Sequence, residues 1–230
     1  MLEAILLVYK KCNVKSFPID CYEILDLFGI EYIKYSSLSA SKKLASLSIS
    51  NESYFFDGYI YYNDELIDTR IRFSLMHELG HIMLDHVITD DEKLYRQQEA
   101  EANQFAGQIL APSMAIYYSK CDTPEKVAQT FDISLLCAKV AYSYYISWYE
   151  HTVLHKMNIF DKQLYDHFYH SGQKKFVFKI HNCLFCNRNI FNSTESTCII
   201  CNSKWRSISF EDKQVTLVNR LHDNWLINNI

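Results

Sequence analysis

The sequence is poor in glycine and proline and has no long apolar run. Its 230 residues include 5 glycines and 3 prolines. This small number of turn residues favours long helices with a modest sheet. No stretch of about 20 consecutive apolar residues is present, which excludes a membrane-spanning helix. The apolar start, residues 1–10, lacks a basic region before it and a small-residue cleavage site after it. We therefore expect no secretory signal, no membrane partner and a cytoplasmic location.

The overall composition is that of a folded chain. Hydrophobic residues make up 49% and aromatic residues 15%, which argues against disorder. The net charge is −4, yet residues 171–230 carry eight Lys/Arg and four Asp/Glu. This local positive excess is weak support for an acidic partner such as nucleic acid. Together with the boundary-like segment Ser171-Gly-Gln-Lys-Lys175, it predicts two domains, residues 1–170 and 171–230.

Hydrophobic periodicity predicts a mostly helical chain. Residues 1–29 are predicted to be helical up to Gly29, and Ser39–Leu47 to be a short helix or a loop, with a strand-like alternation after it. Strands are predicted at residues 30–35 and 59–62, the second after the turn signal Asp57-Gly58. Further helices are predicted over residues 63–86, 92–110, 124–130 and 134–150, with helical pattern continuing to about residue 170.

The segment His77-Glu78-Leu79-Gly80-His81 lies within a predicted helix. Residues four apart lie above one another on a helix face, so the two imidazoles can bind one Zn²⁺. Glu78 can then reach a water on that metal and act as general base. The alternative is a surface helix with two unconnected histidines. The flanking apolar residues indicate a buried helix, where such polar groups need partners.

A catalytic zinc usually has three protein ligands, and three downstream side chains are candidates. His86 lies about 140° around the helix from His81, so we expect it to point elsewhere, as an ordinary histidine at a helix end. Glu99 shares a helix face with Asn103 and is the favoured third ligand. Asn103 can accept a hydrogen bond from a ligand imidazole. Glu101 is rotated about 200° from Glu99 and is expected to be solvated.

Three segments in this order resemble the ImmA/IrrE family of metallopeptidases. They are Arg72-Phe-Ser-Leu-Met-His-Glu-Leu-Gly-His81, Glu99-Ala-Glu-Ala-Asn-Gln-Phe-Ala106 and Leu110-Ala-Pro112, and the similarity extends over roughly residues 20–145. The resemblance implies an α+β fold with a zincin-like core, in which a small sheet lies beside an active-site helix and a glutamate helix. It also implies zinc ligands at His77, His81 and Glu99 and a general base at Glu78.

Two further segments are candidates for binding. The family tends to carry a helix-turn-helix-like stretch, here within about residues 122–170, whose second helix offers mainly apolar side chains. That composition favours core packing or protein docking over base readout. The strand before the active-site helix could pair with an extended substrate; its residues are Tyr59, Ile60, Tyr61 and Tyr62. Its ordinary alternative is a core strand.

Eight cysteines are present, and four form two C-x-x-C pairs. Cys183, Cys186, Cys198 and Cys201 have the spacing of a tetrahedral Cys₄ zinc site, which would be closed and structural. The alternatives are reduced thiols or disulfides. Residues near the pairs, including Asn187–Asn192 and Lys204–Phe210, have strand composition, so a small β-rich zinc ribbon is predicted. Aromatic and basic residues around it make a surface for protein or nucleic acid conceivable.

These observations predict a zinc metallo-endopeptidase with two Zn²⁺ ions, one catalytic and one structural. The resemblance implies a regulatory substrate, such as a phage-type helix-turn-helix repressor whose cleavage releases genes of a mobile element. The competing hypothesis is a regulator that binds a repressor or nucleic acid without cutting it. A purely structural zinc would need neither Glu78 nor an open coordination position.

Overall fold

The computed structural model describes residues 1–154 and 156–206, without the side chains of residues 153, 154 and 204–206. The chain divides into two compact units, one spanning Met1–Lys179 and one beginning at Ile180. Within the described residues, no helix is long and apolar enough to cross a membrane.

Helices dominate the first unit. Their bounds are α1 Leu2–Lys11, α2 Cys21–Phe28, α3 Ala40–Ile49, α4 Asp68–Met83, α5 Glu92–Leu110, α6 Ser113–Ser119, α7 Pro124–Phe131, α8 Leu135–Leu154 and α9 Ile159–Phe168. The strands are β1 Glu31–Lys34, β2 Ser53–Phe56, β3 Tyr59–Tyr62, β4 Tyr169–His170 and β5 Lys175–Phe176. A mixed α+β architecture follows, with a small sheet among many helices.

Local polar contacts explain where the helices depart from the predicted bounds. The prediction that residues 1–29 are helical is wrong for the middle of this range, because α1 ends at Lys11. The next helix begins at Cys21, where the Asp20 side chain accepts from the backbone N–H groups of Tyr22 and Glu23. Likewise, α4 begins at Asp68, because Asn63 makes a turn by accepting from Glu65 N–H through its side chain.

The principal sheet has the order β1-β3-β2. β3 pairs in parallel with β1 and antiparallel with β2. Both of its hydrogen-bonding edges are therefore occupied by neighbouring strands. The prediction that Tyr59, Ile60, Tyr61 and Tyr62 could pair with a substrate is wrong for this reason. Among the described strands, β2 is at an edge of this sheet.

Helices α4 and α5 pack closely at one glycine. A Cβ built on Gly80 would lie 3.1 Å from Phe105 Cδ1 and 3.3 Å from the Ala102 Cα and carbonyl oxygen. Leu75 and Leu79 of α4 are fully buried in the same core. The absence of a side chain at Gly80 thus lets the glutamate-bearing helix approach the histidine-bearing helix.

The first unit continues past the boundary-like segment at residues 171–175. Phe176 and Phe178 are buried in its core, with 2% and 5% of their surface exposed. The Phe17 N–H donates to the Phe178 carbonyl at 2.7 Å. The compact unit consequently ends at Lys179, nine residues beyond the end of the domain predicted at residue 170.

The second unit begins with a hairpin and continues into a helix. Strands β6 Ile180–Asn182 and β7 Asn189–Phe191 pair antiparallel, and α10 spans Ile199–Arg206. The sequence predicts a strand over residues 204–210. Residues 204–206 are helical instead, and residues 207–210 lie outside the described part. The second cysteine pair therefore lies at the start of a helix.

Candidate metal centre

Three side chains from α4 and α5 converge on one point. His77 and His81 are one helical turn apart, and their Nε2 atoms lie 3.0 Å from each other. Glu99 reaches across from α5, with Oε1 3.3 Å from His81 Nε2 and Oε2 3.5 Å from His77 Nε2. Two imidazoles and a carboxylate therefore aim their lone pairs at a shared space.

This donor set fits a zinc ion. Ligand atoms at roughly 2.0–2.1 Å from a tetrahedral zinc lie about 3.3 Å apart, close to the observed separations. Burial lowers the pKa of both His77 and His81, so the imidazoles are neutral near pH 7 and their lone pairs are free for a metal. Three protein ligands leave a fourth position for a water or a substrate.

The outward-facing ring nitrogens of both histidines have partners. Asn103, one turn after Glu99 on α5, places Oδ1 3.1 Å from His77 Nδ1. His86 places Nδ1 2.9 Å from His81 Nδ1. Hydrogen bonds of this kind fix the tautomer that leaves Nε2 free for a metal. The sequence indicated Asn103 for this position but not His86.

The prediction that His86 points away from the histidine pair is wrong. It assumed that α4 continues to residue 86, whereas α4 ends at Met83. Asp85 then adopts a left-handed conformation with φ 54°, and the His86 N–H donates to the His81 carbonyl at 3.0 Å. This reversal returns the imidazole to His81 and also to Glu101, which was expected to be merely solvated.

Glu78 is buried beside these three side chains, with 7% of its surface exposed. The Ser53 hydroxyl donates to Glu78 Oε1 at 2.7 Å. Burial raises the pKa of Glu78 to about 7 and the negative charge of Glu99 adds to this rise, whereas the Ser53 hydroxyl and the backbone N–H of Phe55 oppose it. A carboxylate in this environment is suited to accepting a proton near neutral pH.

A cleft of about 1230 Å³ opens over the histidines and the glutamates. Its walls come from β2, from α4 and α5, from the segment after α4 and from α8. Several apolar side chains line it while remaining partly or fully exposed: Phe55, Ile88, Leu136, Val140 and Tyr144. A polar floor between apolar walls is typical of a site that binds a ligand.

Comparison with known proteins assigns this part of the chain to a family. Residues 29–141 match the family model of peptidase M78, described as the IrrE N-terminal-like domain. Residues 29–141 therefore form a domain of this family. The matched range includes α4, α5 and the start of α8, and it confirms the resemblance to the ImmA/IrrE metallopeptidases.

A search of curated proteins found no match. Solved structures with similarity include a Mycobacterium tuberculosis transcriptional regulator, with a TM-score of 0.44 and 14% sequence identity. That alignment covers 60% of this chain and 44% of the regulator. The chain therefore spans less than half of that protein.

A second cluster of metal-ligating side chains lies beyond the IrrE-like domain. Cys183, Cys186, Cys198 and Cys201 bring their Sγ atoms within 4.8 Å of one another. The Cys198 N–H donates to Cys183 Sγ at 3.2 Å, which lowers the pKa of Cys183 to about 6. Four sulfurs in this arrangement, some with stabilised thiolates, fit a closed tetrahedral zinc site.

Proposed function

We propose that the chain is a zinc-dependent endopeptidase whose metal is held by His77, His81 and Glu99. The observation that supports this most directly is the position of Glu78, which is buried and oriented by Ser53 beside that ligand set. A site that only held a structural metal would need neither a buried carboxylate with a raised pKa nor an open cleft.

The chain's own residues supply positioning and proton transfer. When bound, zinc polarises the peptide carbonyl and lowers the pKa of a coordinated water. Glu78 accepts the proton that the attacking water releases and delivers it to the leaving amine. Ser53 holds the Glu78 carboxylate in one orientation through its hydrogen bond to Oε1. Asn103 orients His77 from the outer side.

The substrate backbone is proposed to bind along β2. This strand is at the edge of the sheet, and Ser53, Tyr54 and Phe55 line the cleft. An extended peptide can add to such an edge through main-chain hydrogen bonds. The apolar row Leu136, Val140 and Tyr144 on α8 would then receive a hydrophobic side chain of the peptide.

The substrate proposed from the family resemblance is a regulatory protein of the cytoplasm, such as a helix-turn-helix repressor. The selective features of the cleft are its edge strand and its apolar wall. Both suit a segment that can become extended and that carries a large apolar residue.

Replacement of the base tests the proposal. Glu78→Gln keeps a similar shape but accepts no proton, so it should retain bound zinc and lose at least about a hundredfold in cleavage rate. Cleavage is measured by mass spectrometry as new peptide N-termini in a mixture of unstructured peptides. Glu92→Gln, at an exposed residue of α5, is the matched control and should cleave normally. Full cleavage by Glu78→Gln would remove Glu78 as the base.

The second candidate function is a regulator that binds a repressor or nucleic acid without hydrolysis. It is favoured by the cysteine cluster, which lies in a separate unit outside the matched family range. Under this alternative, Glu78→Gln would keep biological activity, whereas Cys183→Ser would lose it. The reverse result supports the peptidase.

A further inference from the structure

A chain of hydrogen bonds leads from the metal centre to solvent through a second histidine. His81 Nδ1 lies 2.9 Å from His86 Nδ1, and His86 Nε2 lies 3.1 Å from Glu101 Oε2. The His86 side chain is 7% exposed and that of Glu101 is 43% exposed. The Gln97 side-chain amide also donates to Glu101, at 2.8 Å, so the carboxylate is held on two sides.

Only one arrangement of protons satisfies every contact once His81 Nε2 is a metal ligand. A neutral His81 then carries its proton on Nδ1 and donates it to His86. His86 must accept on Nδ1, which places its own proton on Nε2, where the Glu101 carboxylate accepts it. His86 Nδ1 accepts from His81, and the Glu101 carboxylate accepts from His86 Nε2. Each of the two rings is thereby fixed in a single tautomer.

We propose that His86, held by Glu101, is a positioning residue that fixes the tautomer and the orientation of His81 for zinc. This inference depends on the zinc site of the proposed function and adds a part to it. The carboxylate end also makes His81 a more basic ligand. His77, by contrast, is held by the neutral amide of Asn103. The two imidazoles of the motif are therefore supported unequally.

The side-chain role can be separated from the path of the backbone. The left-handed Asp85 and the His86 N–H bond to the His81 carbonyl shape the turn after α4 without the imidazole. A substitution at residue 86 can therefore remove the ring contacts while leaving the main-chain contact in place. His86→Phe keeps a ring but removes both hydrogen bonds. His86→Gln restores an acceptor and a donor on a flexible side chain.

The test measures zinc affinity of the full chain by competition with a chromophoric chelator. His86→Phe should lower the zinc affinity of the catalytic site by about 10–100-fold, and His86→Gln should recover part of that affinity. Glu101→Gln should weaken zinc by a smaller factor, because the amide still accepts a hydrogen bond. The controls are His151→Phe, at an exposed residue of α8, and Glu92→Gln. Both controls should bind zinc as the wild type does.

Two further readouts distinguish positioning from general stability. The visible spectrum of the Co²⁺-substituted site should change in His86→Phe and in Glu101→Gln, since the field of the His81 ligand changes. The thermal midpoint of the metal-free protein should stay close to that of the wild type. A lower metal-free midpoint with unchanged zinc affinity and cobalt spectrum would assign His86 a purely structural role and overturn the proposal.

The two possible failures have different signatures. A wild-type chain that binds zinc only through its cysteines would refute the proposed function and this inference together. A wild-type chain that binds zinc at both sites, while the His86 and Glu101 variants bind it equally well, would refute the positioning role alone.

Discussion

Ser53 shows how one hydroxyl can set the environment of Glu78, the proposed general base. Ser53 is 8% exposed. Its hydroxyl lies 2.7 Å from Glu78 Oε1 and 3.4 Å from the Ser74 carbonyl oxygen. Glu78 is therefore the acceptor of its only proton. The helical spacing that draws attention to Glu78 gives no signal for Ser53, because the partner comes from a strand 25 residues earlier.

We expect Ser53→Ala to lower kcat by roughly tenfold while leaving zinc content unchanged, because the base loses the hydrogen bond that orients it. Steady-state kinetics on a cleaved peptide and metal analysis measure the two effects. Ser48→Ala, at an exposed serine of α3 whose hydroxyl donates to the nearby Ala45 carbonyl, serves as the control. Equal kcat in Ser53→Ala and wild type would show that Glu78 needs no such partner.

Helical periodicity was sufficient to group part of the site from sequence. His77 and His81 share a face of α4, and Glu99 and Asn103 share a face of α5, so their contacts follow from spacing once the helices pack. Helical spacing does not predict the contact between His86 and Glu101. It depends on a left-handed residue after the helix end, and aspartate at that position carries only a weak signal for the reversal.

At the scale of elements, the distance between α4 and α5 determines whether the three proposed zinc ligands meet. Gly80→Ala would push a new methyl group against the Ala102 backbone, which cannot yield as a flexible side chain can. We expect α5 to move away from α4 by a few tenths of an ångström. This shift should weaken zinc binding and lower the thermal midpoint of the protein.

Gly107→Ala is the matched control on the same helix pair. A Cβ at Gly107 meets nothing within 4 Å, and alanine stabilises a helix interior by about 0.5–1 kcal/mol relative to glycine. Its thermal midpoint should therefore stay level or rise, with zinc affinity unchanged. If Gly80→Ala bound zinc as tightly as Gly107→Ala, close packing would not be what assembles the ligand set.

The outer wall of the cleft leads to a prediction about substrate choice. Val140 lies in the cleft wall and is 48% exposed, so a substrate side chain can cover it without rearrangement of the core. Val140→Asn should lower kcat/KM for peptides with a large apolar residue by about fivefold, which is roughly 1 kcal/mol of lost apolar burial. Ser143→Asn, at an exposed residue of α8 outside the cleft, is the control. Equal kcat/KM values in the two variants would exclude α8 from substrate selection.

Elements with strong local signals were the ones predictable from sequence. Thr123 caps α7 by accepting from Lys126 N–H, with Pro124 as the first helical residue, as the Thr-Pro-Glu pattern predicts. The bounds of α5, Glu92–Leu110, also match the prediction. The order of strands was not predictable, because β1 pairs with β3 across an intervening helix and strand. The edge position of β2 is a tertiary property with no local sequence signal.

The whole molecule combines two proposed metal sites in separate compact units. Metal analysis of the wild type should give two zinc ions per chain, and His77→Ala and Cys183→Ser should each give one. Four thiolates around a metal supply folding energy to a small unit. Cys183→Ser should therefore unfold the second unit, seen as protease cleavage after residue 180, while the first retains its zinc. Loss of both ions in either variant would contradict independent sites.

The extent of the first unit can be tested with two truncations that differ by nine residues. A chain ending at Lys179 keeps Phe176 and Phe178 in the core and the hydrogen bond from Phe17 N–H to the Phe178 carbonyl. A chain ending at His170 loses all three. Each buried phenylalanine contributes about 3–5 kcal/mol, a large share of the roughly 5–15 kcal/mol that stabilises a typical domain. We expect residues 1–179 to unfold cooperatively with one bound zinc and residues 1–170 to be aggregated or unfolded, as measured by circular dichroism on heating. Equal thermal midpoints would place the functional boundary at residue 170, where the change in composition suggested it.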